Sequence, residues 1–377
     1  MSLSVLHVLG ELRPSGAEVM LKLAAPLWIK KGVELHVLAL GKNLGPYATQ
    51  LRQAGFSVHH LPMERGIKLI YGLWHYWKSL QAINPVIVHV HQESLSLFMV
   101  LFSWYSGCRI FRTIHNNFGY SGILRLQKTI ERYLCRMMGC KHIAISPSVE
   151  NNEKTRLLNP SELIWNWFDT QCYRIPSEKE KNHARDKIQI PLKKEVLVSI
   201  GNGSDVKNYI EIVRMLKKIQ DPELYYLQVG FEHPEKKDRK EAEKLNLSKQ
   251  ICWCGSQMDV RNYLWAADYY IMPSLFEGLS IASVEALACG LPCYFADVPG
   301  LKDLAHLGIH AFWAAPKAES LATSFETRKN KTWNQGARNS ELVREFFSVD
   351  KGARAYFRKW EKSGLKQKNL FRAQSLD

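Results

Sequence analysis

Short apolar runs recur along the chain. Between them lie longer stretches whose apolar positions return every three or four residues. Residues 5–9, 34–38, 57–61, 86–90, 109–114 and 142–145 read as strands, and 17–30, 67–81, 95–105 and 124–138 as helices between them. A polar, charged stretch follows at 171–194. A second series then begins, with strands at 196–200, 225–229, 251–253, 269–272, 292–295 and 310–313 and helices at 207–219, 236–245, 260–266 and 281–289. Strand–helix alternation predicts an α/β fold with parallel sheets covered by helices. Two such series predict two doubly wound, Rossmann-like domains facing across a cleft, with a boundary near 166–173. The first domain is expected over 1–168 and the second over 169–349. A basic helix near 350–362 and a loose tail end the chain, and the 350–377 segment is expected to cross back to the first domain.

Composition narrows this picture. Apolar residues make up 46% and charged residues 23% of 377 positions, which suits a folded chain with two cores. No run reaches the roughly 18 apolar residues of a membrane span. Residues 5–13 lack a secretory pattern, so a cytoplasmic location is expected. The eight cysteines are therefore expected to be reduced. Net charge is +15, with 18 Lys+Arg against 10 Asp+Glu in residues 1–170 and 33 against 26 in the rest. That excess could meet nucleic acid, an anionic membrane or a phosphorylated substrate. No nucleic-acid motif accompanies it, and no nucleic-acid partner is expected. Arg125, Lys128, Arg132 and Arg136 fall on one helix face, read either as a solvated face or as a contact for an anionic membrane surface presenting a lipid-linked acceptor.

The chemistry gathers in "MPSLFEGLSIASVEALACGLP", residues 272–292. A strand end, a loop with Gly278 and a helix starting near Ser280 form an anion site from unpaired first-turn amides. Glu277 lies in the loop and Glu285 in the second turn, where a carboxylate suits paired ribose hydroxyls. The bland reading makes Glu277 a helix-start charge and Glu285 a solvated residue. His89 and His91 end a strand on one face. No third ligand stands near them in sequence, so cleft-lining or core roles are expected and no metal.

The 272–292 segment resembles the donor-site signature of glycosyltransferase family 4, with its Pro-Ser, Glu-Gly and second Glu eight positions on. Other segments resemble the family in the same order. They are "GELRPSGAE" at 10–18, "RTIHNN" at 112–117, "IAISPSVENN" at 143–152, "ARDKIQIPLKKEVLVSIGNGSDVKNY" at 184–209 and "ICWCGSQMDVRNYLWAADYYIMPS" at 251–274. The resemblance implies a retaining glycosyltransferase of GT-B fold. It would move a hexose-type sugar from a nucleoside-diphosphate sugar to a glycan or lipid-linked acceptor. By the same resemblance Glu277, His115 and Lys207 carry catalysis. Gly16, Asn202, Lys207, Ser274, Gly278, Leu279, Ser280 and Glu285 hold the donor. Asn202 stands where the family usually has Arg, which removes a bidentate cation from the diphosphate. No Asp-x-Asp occurs, so no metal or other cofactor is expected. The alternatives are an inactive GT-B protein that binds nucleotide or glycan, and a nucleotide-sugar epimerase or phosphorylase of the same fold.

Overall fold

The computed structural model describes residues 3–64, 66, 68–190, 193–330 and 332–374, the last stretch from 364 onward by its backbone alone, as is residue 330. Residues 1–2 of the expected first domain, 67 of the expected second helix, 191–192 of the polar 171–194 stretch and 375–377 of the expected tail lie outside them. The chain divides into two compact units, Met1–Trp167 with Val349–Asp377, and Phe168–Ser348.

The first unit runs β1 (Leu3–Leu9), α1 (Gly16–Lys30), β2 (Val33–Ala39), α2 (Ala48–Gln53), β3 (Ser57–His60), α3 (Lys68–Ile83), β4 (Ile87–Val90), α4 (Ser96–Tyr105), β5 (Arg109–Ile114), α5 (Gly122–Met137), β6 (Lys141–Ala144), α6 (Pro147–Arg156) and β7 (Glu162–Leu163). Its sheet is parallel in the order β3-β2-β1-β4-β5-β6-β7. The period of two in each strand feeds two cores. Leu6 and Val8 join Tyr76, Val88 and Met99 beneath α3 and α4. Val5 and Leu9 join Trp28, Ile87, Phe111 and Trp360 on the opposite face.

The second unit runs α7 (Glu178–Lys187), β8 (Glu195–Ile200), α8 (Ile210–Ile219), β9 (Leu224–Val229), α9 (Lys237–Lys244), β10 (Ile251–Gly255), α10 (Arg261–Ala266), β11 (Tyr269–Met272), α11 (Ile281–Ala288), β12 (Cys293–Ala296), β13 (Phe312–Ala314), α12 (Ala318–Glu326) and α13 (Gly336–Phe346). Its sheet is parallel in the order β10-β9-β8-β11-β12-β13. The polar 171–194 stretch is not a bare linker. Ser177 and Glu180 form a capping box that starts α7. Lys181 and Arg185 then anchor α7 on Asp268 at 2.6 and 2.5 Å.

The last helix, α14 (Val349–Gln374), packs on α1 in the first unit. It runs twelve residues beyond the expected end at 362, through most of the segment read as a loose tail. Its Gly352 backs onto Trp167, and a Cβ there would sit 2.0 Å from the indole. The Trp28 Nε1–H donates to the Ala353 carbonyl at 2.9 Å, and Thr113 meets the Tyr356 hydroxyl at 2.8 Å.

The cationic stripe expected on α5 is only partly at the surface, with Arg125 exposed, Lys128 and Arg136 half-buried and Arg132 buried. Arg132 is fully buried on Glu153 at 3.2 Å and on Glu93 at 2.9 Å. Lys128 reaches Glu131 at 2.7 Å and Glu93 at 3.2 Å. Arg112 closes the group through Glu93. Burial alone would raise the Glu93 carboxyl, but Arg112, Arg132 and Lys128 hold it down to about 2. Three carboxylates thus draw the stripe's middle, Lys128 and Arg132, inward and leave Arg125 exposed.

Candidate active site

In a doubly wound sheet, ligands bind beyond the strand carboxyl ends where the strand order reverses. In the second sheet that point lies between β8 and β11. The loop after β8 carries Lys207, and the loop after β11 carries Ser274, Glu277 and Gly278. The sequence put Lys207 at a helix start, but α8 begins at Ile210 and Lys207 lies in the loop before it. Its Nζ meets Glu277 Oε1 at 2.7 Å, and the Ser274 hydroxyl donates to the same oxygen at 2.7 Å. Neighbouring bonds hold the two loops in register. Leu275 N–H donates to the Val206 carbonyl at 2.8 Å, and the Asn208 amide donates to the Pro273 carbonyl at 3.1 Å.

Gly300 supports this loop from behind. It sits at φ +86°, and a Cβ would lie 2.2 Å from the Glu277 carbonyl oxygen, so glycine alone fits. Ser280 caps α11 by accepting from the Ser283 amide at 3.3 Å. Among the described residues the Gly278, Leu279 and Ser280 amides have no intrachain acceptor. With the positive end of α11 they form an anion cradle beside Lys207.

Glu285 is buried in α11, not solvated. Burial raises its carboxyl; the Tyr173 hydroxyl bonded to it pulls the other way, Asp169 and Asp259 add to the rise, and the result is about 8. Asn202 is occupied elsewhere: its Oδ1 accepts from the Phe231 amide at 3.1 Å, stapling the loops after β8 and β9.

The other two proposed residues belong to the first unit. Gly16 opens α1 beyond the β1 end. Beside it Glu18 is buried against the Ser15 hydroxyl, and burial lifts its carboxyl to about 7. His115 follows β5 and continues a chain of histidines at that sheet's own reversal, between β1 and β4. His7 Nδ1 lies 2.9 Å from His91 Nε2, and His91 Nδ1 lies 3.0 Å from His115 Nε2. His89 bonds Thr113 at 2.8 Å. Burial holds His7 near 3 and His115 near 4, and pushes His89 and His91 well below the usual imidazole range. A neutral imidazole donates from one nitrogen and accepts at the other. If His91 donates to His7, it must accept from His115, and the reverse holds too. His91 therefore sets the tautomer of His115.

His7 is the third histidine that the sequence did not place beside His89 and His91. It reaches them across the β1–β4 register, where His7 stands opposite His89. One nitrogen of each lies within 4.8 Å of the others. His91 has one nitrogen on His7 and the other on His115, and His89 Nε2 is bonded to Thr113.

Residues 180–332 match the family model of glycosyl transferases group 1, and residues 14–172 match that of Glycosyltransferase Family 4. EpsF of Bacillus subtilis (strain 168) is 22% identical over 320 residues, 81% of this chain and 82% of the relative. The capsular polysaccharide biosynthesis glycosyltransferase CapH of Staphylococcus aureus is 23% identical, over 75% of this chain and 78% of its own. Among solved structures, Anabaena HepE in complex with UDP and glucose superposes with a TM-score of 0.82 at 16% identity, covering 96% of this chain and 100% of HepE.

Proposed function

We propose that this chain, which belongs to the group 1 glycosyltransferases of the GT-B fold, moves a hexose from a nucleoside-diphosphate sugar to a glycan or lipid-linked acceptor in polysaccharide synthesis. The Lys207–Glu277 pair across the β8/β11 reversal carries this reading. The diphosphate would lie on Lys207 and the amides of Gly278, Leu279 and Ser280. The sugar hydroxyls would meet Glu277, itself steadied by Ser274, and the ribose would meet Glu285. As the bond from the anomeric carbon to the diphosphate breaks, negative charge gathers on the leaving oxygen. Lys207 and the α11 amides stabilise it there. The acceptor hydroxyl forms the new bond on the face the diphosphate leaves, giving retention, and its proton passes to the departing phosphate. His115 and Gly16 join this reading as residues of the first unit that the family signature assigns to the reaction.

HepE has also been solved with UDP-glucose, so UDP-sugars come first in a donor panel. With a turned-over donor, Lys207→Ala is expected to lower kcat by roughly 10²-fold, the cost of removing one charge-stabilising donor. Glu277→Gln is expected to change both kcat and KM, and Glu285→Gln chiefly KM. Wild-type kinetics in all three variants would put the chemistry elsewhere. No metal is assigned to the diphosphate. Turnover is therefore expected to persist in EDTA, and a loss restored by Mg²⁺ or Mn²⁺ would overturn that part.

A further inference from the structure

Fourteen of the twenty large apolar side chains exposed among the described residues lie on three helices of the first unit, α3, α4 and α5. These helices pack side by side, α3 on α4 and α4 on α5. A folded chain rarely leaves so much apolar surface together unless something covers it.

The clearest sign is in α5, whose amphipathicity is inverted. Its inward face holds Glu131, Arg132 and Cys135. Its outward face carries Ile123, Leu126, Ile130, Tyr133 and Met137, at exposures from 49 to 86%. Helices of a folded core normally turn their apolar stripe inward. This one spends its charges on Glu93 and Glu153 and leaves its apolar stripe bare. Tyr71, Trp74, Trp104 and Tyr105 on the neighbouring helices add aromatic rings, which suit the boundary between hydrocarbon and water.

Charge selects the occupant. Residues 66–140 hold eight Lys and Arg but two acids, Glu93 and Glu131. Both acids are turned inward onto Arg112, Arg132 and Lys128. The exposed layer therefore shows a surplus of cations, such as Lys78 over the Trp74 ring at 3.7 Å and the exposed Arg125, while the exposed acid at its edge, Glu64, is paired with Lys68 at 2.7 Å. A second copy would bring like charge against like. We propose that the α3–α5 face lies on an anionic lipid bilayer, with its apolar side chains at the headgroup boundary and Lys78 and Arg125 among the lipid phosphates. No described helix is long and apolar enough to cross a membrane, so the contact is one of lying on the surface.

The test is flotation of the full chain with phosphatidylcholine vesicles, with and without phosphatidylglycerol, beside sedimentation velocity without lipid. The vesicle assay needs no sugar donor, so its failure would leave the transfer reading untouched. The chain is expected to float with the anionic vesicles, less so with the zwitterionic ones. Leu126→Gln, Ile130→Gln and Tyr133→Gln together are expected to lower the partition coefficient at least about tenfold, because each exchanges bilayer-facing apolar surface for an amide. These side chains are exposed, so the fold should survive, as an unchanged thermal melt would show. Phe231→Gln and Leu275→Gln, exposed in the second unit, are expected to float as wild type. The proposal falls if wild type stays with the unbound fraction, or if the triple variant floats equally well. It also falls if sedimentation shows a self-associated species that the triple variant dissolves, which would assign the face to a second copy.

Discussion

At the residue scale, the motif at 272–292 gives the types of side chain but not their protonation. The bland sequence reading leaves Glu285 solvated because nothing in a linear string shows that α11 is buried on nearly every side. Its carboxyl is raised to about 8 without ligand. Ribose hydroxyls donating to it would favour the ionised form. Donor binding near pH 7 is therefore expected to release up to one proton, and affinity to rise as pH climbs through about 8. Calorimetry in buffers of different ionisation enthalpy measures this directly, and Glu285→Gln should abolish the release. Identical proton counts in variant and wild type would separate Glu285 from the donor. Asn202 shows the converse limit. The missing Arg is legible in sequence, whereas the bond to the Phe231 amide that Asn202 makes instead is a tertiary fact.

At the element scale, strands and long helices were legible because their periods of 2 and 3.6 survive in the string. Several short elements were not. The helices α2 and α6 are six and ten residues with little apolar repeat, and α7 is almost wholly polar. The capping box of α7, Ser177 to Glu180, was the signal that could have found it. The α5 stripe misled for a different reason. Its partners Glu93 and Glu153 come from other elements, so periodicity could not tell which side was inside. The histidine group likewise depends on β1, β4 and β5 lying in register, which links His7, His89 and Phe111 across three strands. These buried imidazoles, with His142 on β6, carry lowered proton affinity in the folded chain. The unfolded chain takes up protons near 6.5 while the folded chain refuses them. Stability therefore increases with pH in that window and is lost as pH falls from about 6.5 towards 4. Among the described residues neither His142 ring nitrogen has a hydrogen-bond partner. His142→Phe is thus expected to lower the acid-unfolding midpoint and to leave stability near pH 8 almost unchanged. An unaltered midpoint would exclude His142 from the acid transition.

At the scale of the whole molecule, the sequence announced two strand–helix series, and the described residues form two sheets of seven and six parallel strands. The first unit is discontinuous, because α14 completes it after the entire second unit. A chain ending at Ser348 would strand the Trp28 indole without the Ala353 carbonyl and Thr113 without Tyr356. It would also uncover His7, on which Trp360 packs edge-on at 5.6 Å. Such a chain is expected to lose hydrogen-exchange protection in β1 and β4 while keeping it in β8 and β11. Wild-type protection in β1 would show that α14 is dispensable.

That late-arriving helix also dictates a schedule on the ribosome. The nascent chain exposes β1 and the Trp28 face first, then must wait while the second unit is made, roughly ten to forty seconds at ordinary elongation rates. The second unit, continuous in the chain, can finish before the first is sealed. Throughout that interval the first sheet carries a bare aromatic face. The growing polypeptide is then a client for holdase chaperones, a dependence that a circular permutant placing α14 ahead of β1 should relieve.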